Sequence, residues 1–140
     1  MSREGALQQL FGELGLLLRR ARELTVDGDL GLAQFTFLNQ IDARPGTRAA
    51  DLAALFGLDK STVSRQVDRL SCAGLIAKCG EQPGRRGQRL ELTESGRTAL
   101  SAALQSRRVL LAELLTTWDE HDIASLASLL GRLNEGANRG

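Results

Sequence analysis

The 140-residue sequence has no tyrosine, one tryptophan and four phenylalanines, so its core must be assembled mainly from leucine, alanine and valine. Two cysteines, Cys72 and Cys79, are too few for a disulfide scaffold. The single histidine, His121, is remote from both, which argues against a zinc site within the chain. No apolar run reaches the roughly 18–20 residues needed to span a bilayer. Met1-Ser2-Arg3-Glu4 leads into an amphipathic stretch rather than a compact signal-peptide core. A cytoplasmic location with no membrane partner is the expectation. The chain also lacks a phosphate-cradling glycine loop, a nucleophile elbow and any Cys/His pairing at catalytic spacing. We therefore expect no enzyme activity, no cofactor and no metal.

The net charge is only +1, but it is unevenly spread. Between Arg44 and Arg89 stand nine basic and four acidic residues, a local charge of +5, while the remainder carries −4. A basic middle between acidic, leucine-rich ends suggests a module facing a polyanion, held by flanks with a different task.

Periodicity divides the chain further. Leu7, Leu10, Leu14, Leu17, Ala21 and Leu24 alternate in steps of three and four, predicting a broad-faced helix over 6–24. A second helix is predicted over 32–42, with Leu32, Phe35, Leu38 and Ile41 inward, closed by Arg44-Pro45-Gly46. Thr47 is a predicted cap for a helix over 48–56 ended by Gly57, and Asp59 for one over 60–72. Leu75 to Lys78 and the alternating Gln88-Arg89-Leu90-Glu91-Leu92 predict a two-stranded hairpin. Thr93 is placed to cap a long helix reaching about Thr117. Asp119 and Asp122 resemble a capping box for a last helix over 120–134, with the tail beyond it frayed.

The helices over 48–56 and 60–72 carry the first functional signal. Ala53 supplies the small residue that a tight crossing needs, and Gly57 the turn residue tolerant of positive φ. With Val63, Val67 and Leu70 buried, Lys60, Ser61, Thr62, Ser64, Arg65, Gln66 and Arg69 are left outside. These are side chains that read base edges and phosphates from a major groove. Thr47 and Arg48, just ahead of the first helix, join them as candidates. Asp68 would repel phosphate, and its expected partner is a neighbouring arginine. Taken alone, the segment also fits an αα-hairpin with a solvated face. A protein-binding face would favour aromatic and aliphatic residues instead.

Downstream, Gly84-Arg85-Arg86-Gly87 puts two guanidiniums at the hairpin tip, suited to the concentrated negative potential of a minor groove. Ser61 to Leu70, then Gly74-Leu75-Ile76, then Arg85-Arg86 and Leu92-Thr93-Glu94-Ser95-Gly96, resemble the MarR family. That family's wing pattern is D-x-R, five residues, then L-T-x-x-G, and Arg86, Leu92, Thr93 and Gly96 fall on it in register. Its aspartate falls at Gly84 here, so the resemblance implies a less tightly braced Arg86. It also implies a mainly α fold with a small β-hairpin wing, a winged helix-turn-helix over 44–92. Dimerisation helices over 4–25 and 94–134 complete a single domain over 1–140.

The flanks expose more leucine than one small domain can bury. Leu7, Leu10, Phe11, Leu14 and Leu17, with Leu111, Leu114, Leu115, Leu126, Leu129 and Leu130, would leave an apolar patch larger than monomers tolerate. A homodimer interface removes it, the alternative being a self-contained bundle. The expected function is a transcription regulator, a repressor that binds a pseudo-palindromic operator on double-stranded DNA. By resemblance, a small amphipathic or aromatic effector would release it. Two alternatives stand beside this: redox sensing through Cys72 and Cys79, and an architectural DNA-binding role without an effector.

Overall fold

The leucine periodicity and the caps are realised, among the described residues, as six helices and one hairpin. A computed structural model of the protein describes residues 1–21, 30–80 and 87–137. Among these residues lie α1 (Arg3–Ala21), α2 (Leu32–Ala43), α3 (Ala49–Phe56), α4 (Lys60–Cys72), β1 (Ile76–Cys79), β2 (Arg89–Leu92), α5 (Glu94–Leu114) and α6 (Glu120–Ala137). The strands pair antiparallel, Ile76 opposite Leu92 and Cys79 opposite Arg89. This is the expected mainly helical fold with a small β-hairpin wing. No helix among the described residues is long and apolar enough to cross a membrane.

The core gathers the middle of the chain. Phe37, Leu38 and Ile41 of α2 meet Leu52 of α3, Val63, Val67 and Leu70 of α4, the hairpin's Ile76, Leu90 and Leu92, and Leu100 of α5. Leu38, Leu52 and Leu70 are completely buried, each burial stabilising the fold by about 1.5–3 kcal/mol. Phe37 stacks on Phe56 with ring centroids 5.3 Å apart. The expected inward set of α2 needs one correction. Leu32, in the first turn, is 54% exposed, and Phe37 takes the buried place. Phe35 is half-buried under the Arg107 guanidinium, 4.0 Å from the ring centroid.

Helix ends also differ in detail. The expected cap at Thr47 moves to Arg48, whose backbone N–H donates to Asp51 Oδ2 at 2.8 Å. The Thr47 hydroxyl turns instead to the Arg44 carbonyl, to which it donates at 2.5 Å. Helix α5 stops at Leu114, short of Thr117, and the Thr116 hydroxyl beyond its end donates to the carbonyls of Ala112 and Glu113. Helix α6 starts as expected, with the Asp122 N–H on Asp119 Oδ1 at 2.8 Å. It then continues through Ala137, past the expected end at Asn134, and residues 138–140 lie outside the described residues. The expected end of the first helix, at Leu24, lies outside the described residues.

Candidate nucleic-acid interface

Helix α4 owes its place to a turn. Gly57 ends α3 in the left-handed conformation, φ 62° and ψ 35°, with its N–H on the Ala53 carbonyl. The chain then re-enters helix at Asp59, whose carboxylate accepts the Thr62 N–H at 3.3 Å and the hydroxyl protons of Ser61 and Thr62. Val63, Val67 and Leu70 face the core. Lys60, Ser61, Ser64, Arg65 and Arg69 are exposed, and Thr62 and Gln66 half-buried. The expected reading residues therefore share the outer side of one helix. Because Ser61 and Thr62 spend their protons on Asp59, they present lone pairs outward and can act there only as acceptors. Arg65 Nη2 lies 3.4 Å from Thr62 Oγ1, a weak contact that leaves its guanidinium free to engage a ligand.

The hydroxyls of Ser61 and Thr62 hold the Asp59 carboxyl down, from 3.8 to about 2. A lowered acid stabilises the fold above its unfolded value and loses that contribution as pH falls through the folded one. The cap should be complete above pH 3.8 and lost towards about 2. Carbon-13 NMR of the carboxyl group should show a midpoint near 2. A midpoint at 3.8 would mean that the hydroxyl contacts do not persist in solution.

The hairpin is fastened at its base from two sides. Asp68 pairs with Lys78 of β1 at 2.8 Å, not with an arginine as expected. The reach across to β1 decides that choice, which sequence proximity along α4 does not reveal. On the other side, the Leu90 N–H donates to the Thr47 carbonyl at 2.8 Å, and Arg48 forms an antiparallel bridge with Arg89. The Arg48 guanidinium donates to the Gly87 carbonyl. Thr47 is thus corrected from candidate contact to framework: it is only 6% exposed and its hydroxyl is engaged internally. Arg85 and Arg86, the expected wing contacts, lie outside the described residues, as does Gly84.

The junction from hairpin to α5 is built around the expected cap at Thr93. Thr93 caps α5 by accepting the Gly96 N–H at 3.0 Å and donates its hydroxyl proton to the Gly74 carbonyl at 2.5 Å. The Thr93 N–H reaches the Leu75 carbonyl at 3.1 Å. Gly96 is buried against the same carbonyl. Leu-Thr-x-x-Gly marks a cap in the sequence, but not what the glycine touches.

The two cysteines show no built redox site. Cys72 is exposed, and Cys79 is half-buried with its thiol on Glu91 Oε2 at 3.4 Å. The Glu91 carboxylate, followed by burial, pushes the Cys79 thiol up, which disfavours the reactive thiolate. Among the described residues, no three histidines, cysteines or carboxylates cluster as metal ligands. Of the candidate dimer residues, Leu14 and Leu115 are half-buried and the other nine exposed, Phe11 to 82%.

Residues 29–87 match the family model described as MarR family. The chain is 28% identical over 139 residues to the uncharacterized HTH-type transcriptional regulator YxaD of Bacillus subtilis (strain 168), covering 96% of this chain and 97% of the relative. A MarR family protein from Bacillus stearothermophilus superposes with a TM-score of 0.76 at 21% identity, over 98% of this chain and 99% of that one. The transcriptional regulator BldR from Sulfolobus solfataricus gives 0.76 at 23% identity, over 94% and 99%. The resemblance read from the recognition helix and wing is borne out, and the fold is the winged helix of MarR structures.

Proposed function

Starting from the MarR-family match and winged-helix fold, we propose that this protein is a DNA-binding transcription regulator. It acts in the cytoplasm as a homodimeric repressor on a pseudo-palindromic operator. The observation that carries this reading is α4, which buries Val63, Val67 and Leu70 and turns Lys60, Ser64, Arg65 and Arg69 outward. Such a face reads base edges when the helix lies in a major groove, with Ser61, Thr62 and Gln66 beside it. The wing arginines Arg85 and Arg86 would then lie in the adjacent minor groove. This constellation binds and positions a duplex, and it includes no nucleophile–base pair for catalysis.

The flanking helices support the dimer. Neither α1 nor α6 buries a single residue within the chain, although they carry Leu7, Leu10, Leu17, Leu126, Leu129 and Leu130. Helices in proteins draw most of their stability from tertiary packing of an apolar face rather than from propensity, so burial against a second copy supplies the stabilisation they need. A two-fold dimer over 4–25 and 94–134 would present two copies of α4 about one DNA turn apart. A small amphipathic or aromatic effector that prefers a different spacing would release the operator, at about 1.4 kcal/mol of differential affinity per tenfold loss of DNA binding. The redox alternative is weakened by Cys79, which Glu91 holds in the thiol form.

Selection of binding sites from random duplex DNA tests the reading. The expected result is a palindromic consensus with half-sites about 10 base pairs apart. Salt-sensitive binding without a consensus would replace the operator reading by an architectural one. A monomer in sedimentation equilibrium at micromolar concentration would overturn the dimer.

A further inference from the structure

Arg48 has both its backbone and its guanidinium engaged inside the chain. Its N–H donates to Asp51 Oδ2 at 2.8 Å, and its carbonyl accepts the amides of Asp51 and Leu52 at 3.0 and 3.2 Å. These bonds fix its backbone to the first turn of α3. Its guanidinium donates to the Gly87 carbonyl, 39 residues away in sequence, where the chain enters β2. The Asp68–Lys78 ion pair links α4 to β1 only. Strand β2 is held from the helix-turn-helix side by Thr47 and Arg48, through the Leu90 amide, the bridge to Arg89 and the Gly87 carbonyl.

We propose that Arg48 is a positioning residue of the DNA interface: by holding the Gly87 carbonyl it sets the wing's orientation relative to α3 and α4, and does not meet DNA phosphate. Its functional consequence rests on the DNA-binding reading above, whereas its structural half rests on the Arg48–Gly87 contact alone. A guanidinium that left Gly87 for a phosphate would leave the wing base held on this side by the Leu90–Thr47 bond and the Arg89 bridge alone. A wing oriented before DNA arrives also avoids an ordering cost on binding.

Arg48→Met keeps the aliphatic stem and removes the charge and all five donors. In the free protein, hydrogen exchange at the Leu90 amide should accelerate about three- to tenfold, since its acceptor segment is released. On the selected duplex, affinity should fall by a similar factor of about three to ten. The slope of log affinity against log salt should stay at the wild-type value, because no phosphate contact is lost. Arg48→Lys, retaining a donor and the charge on a long stem, should recover most of the Leu90 protection; Arg48→Leu, which also removes every donor, serves as the loss variant if the methionine variant does not fold. An unchanged Leu90 exchange rate would overturn the proposal, as would a salt slope shallower by about 0.9, the signature of one lost phosphate contact. If the wild type itself shows no salt-sensitive duplex binding, the regulator reading falls and takes the DNA half of the proposal with it. The exchange measurement still decides whether Arg48 holds the wing.

Discussion

Gly96→Ala should destabilise the protein more than the same change at any other described glycine. An alanine Cβ at this position would lie 2.0 Å from the Leu75 carbonyl oxygen and 3.0 Å from its carbonyl carbon. The obstacle is backbone, not the end of a flexible side chain, so relief requires moving a chain segment. That segment is pinned on both sides: the Leu75 N–H donates to the Leu70 carbonyl at 3.0 Å, and its own carbonyl accepts the Thr93 N–H at 3.1 Å. Moving it pulls on the end of α4, the start of β1 and the cap of α5 together. Overpacking typically costs about 1–3 kcal/mol, and a rigid obstacle puts this site at or above about 3. Against a total stability of roughly 5–15 kcal/mol for a domain, that is a large share. Urea unfolding should show a clearly lowered midpoint for Gly96→Ala. Ser95→Ala, one residue earlier on the exposed side of the helix, should stay within about 0.5 kcal/mol. A near wild-type midpoint for Gly96→Ala would mean that α5 does not sit this close to Leu75.

Arg65→Ala should have the largest effect on DNA recognition while leaving the fold intact. Arg65 is exposed on α4, and its one internal contact is the 3.4 Å approach to Thr62. Its removal therefore costs little within the chain. A bidentate arginine–guanine contact is worth about 1–3 kcal/mol of discrimination, which corresponds to roughly a 5- to 150-fold loss of affinity for the preferred site. The thermal midpoint should not change. Arg65→Lys adds a finer test: lysine keeps the charge but not the planar fork. It should restore the salt dependence of binding without restoring the preference at the contacted base pair. If Arg65→Ala binds the selected site as tightly as the wild type, α4 does not dock through this residue.

These two positions also mark how far the sequence could be read. Arg65 was legible because a helix is periodic. Once Val63, Val67 and Leu70 are assigned inward, the direction of every other side chain on α4 follows, and the structure places them accordingly. The caps at Asp59 and Thr93 were legible for a related reason, since a capping side chain meets an amide three residues ahead. Gly57 was legible as the residue that can take positive φ between two helices. Gly96 stood out only as part of a pattern, because the carbonyl it makes room for belongs to Leu75, 21 positions earlier.

The misreadings share that cause. Thr47 has the chemistry of a cap, but the turn through Pro45 and Gly46 brings the Arg44 carbonyl within reach of its hydroxyl first. Asp68 has arginines near it along the chain and pairs instead with Lys78 on the neighbouring strand. Leu32 fits the apolar stripe of α2, yet it sits where the helix begins and stays 54% exposed. The Gly87 carbonyl that the Arg48 guanidinium meets is likewise invisible along the chain, 39 residues away.

By itself, then, the sequence determined the helices, the caps at Asp59 and Thr93 and the outward face of α4, because each depends on bonds and periodicities spanning about four residues. The low aromatic content and the uneven charge likewise belong to the chain before it folds. Only the tertiary structure decided which carbonyl Gly96 accommodates, which cation Asp68 meets, and that Arg48 turns to the wing. Those choices depend on which distant segments approach within about 3 Å, and that proximity arises only once Leu38, Leu52 and Leu70 have closed the core.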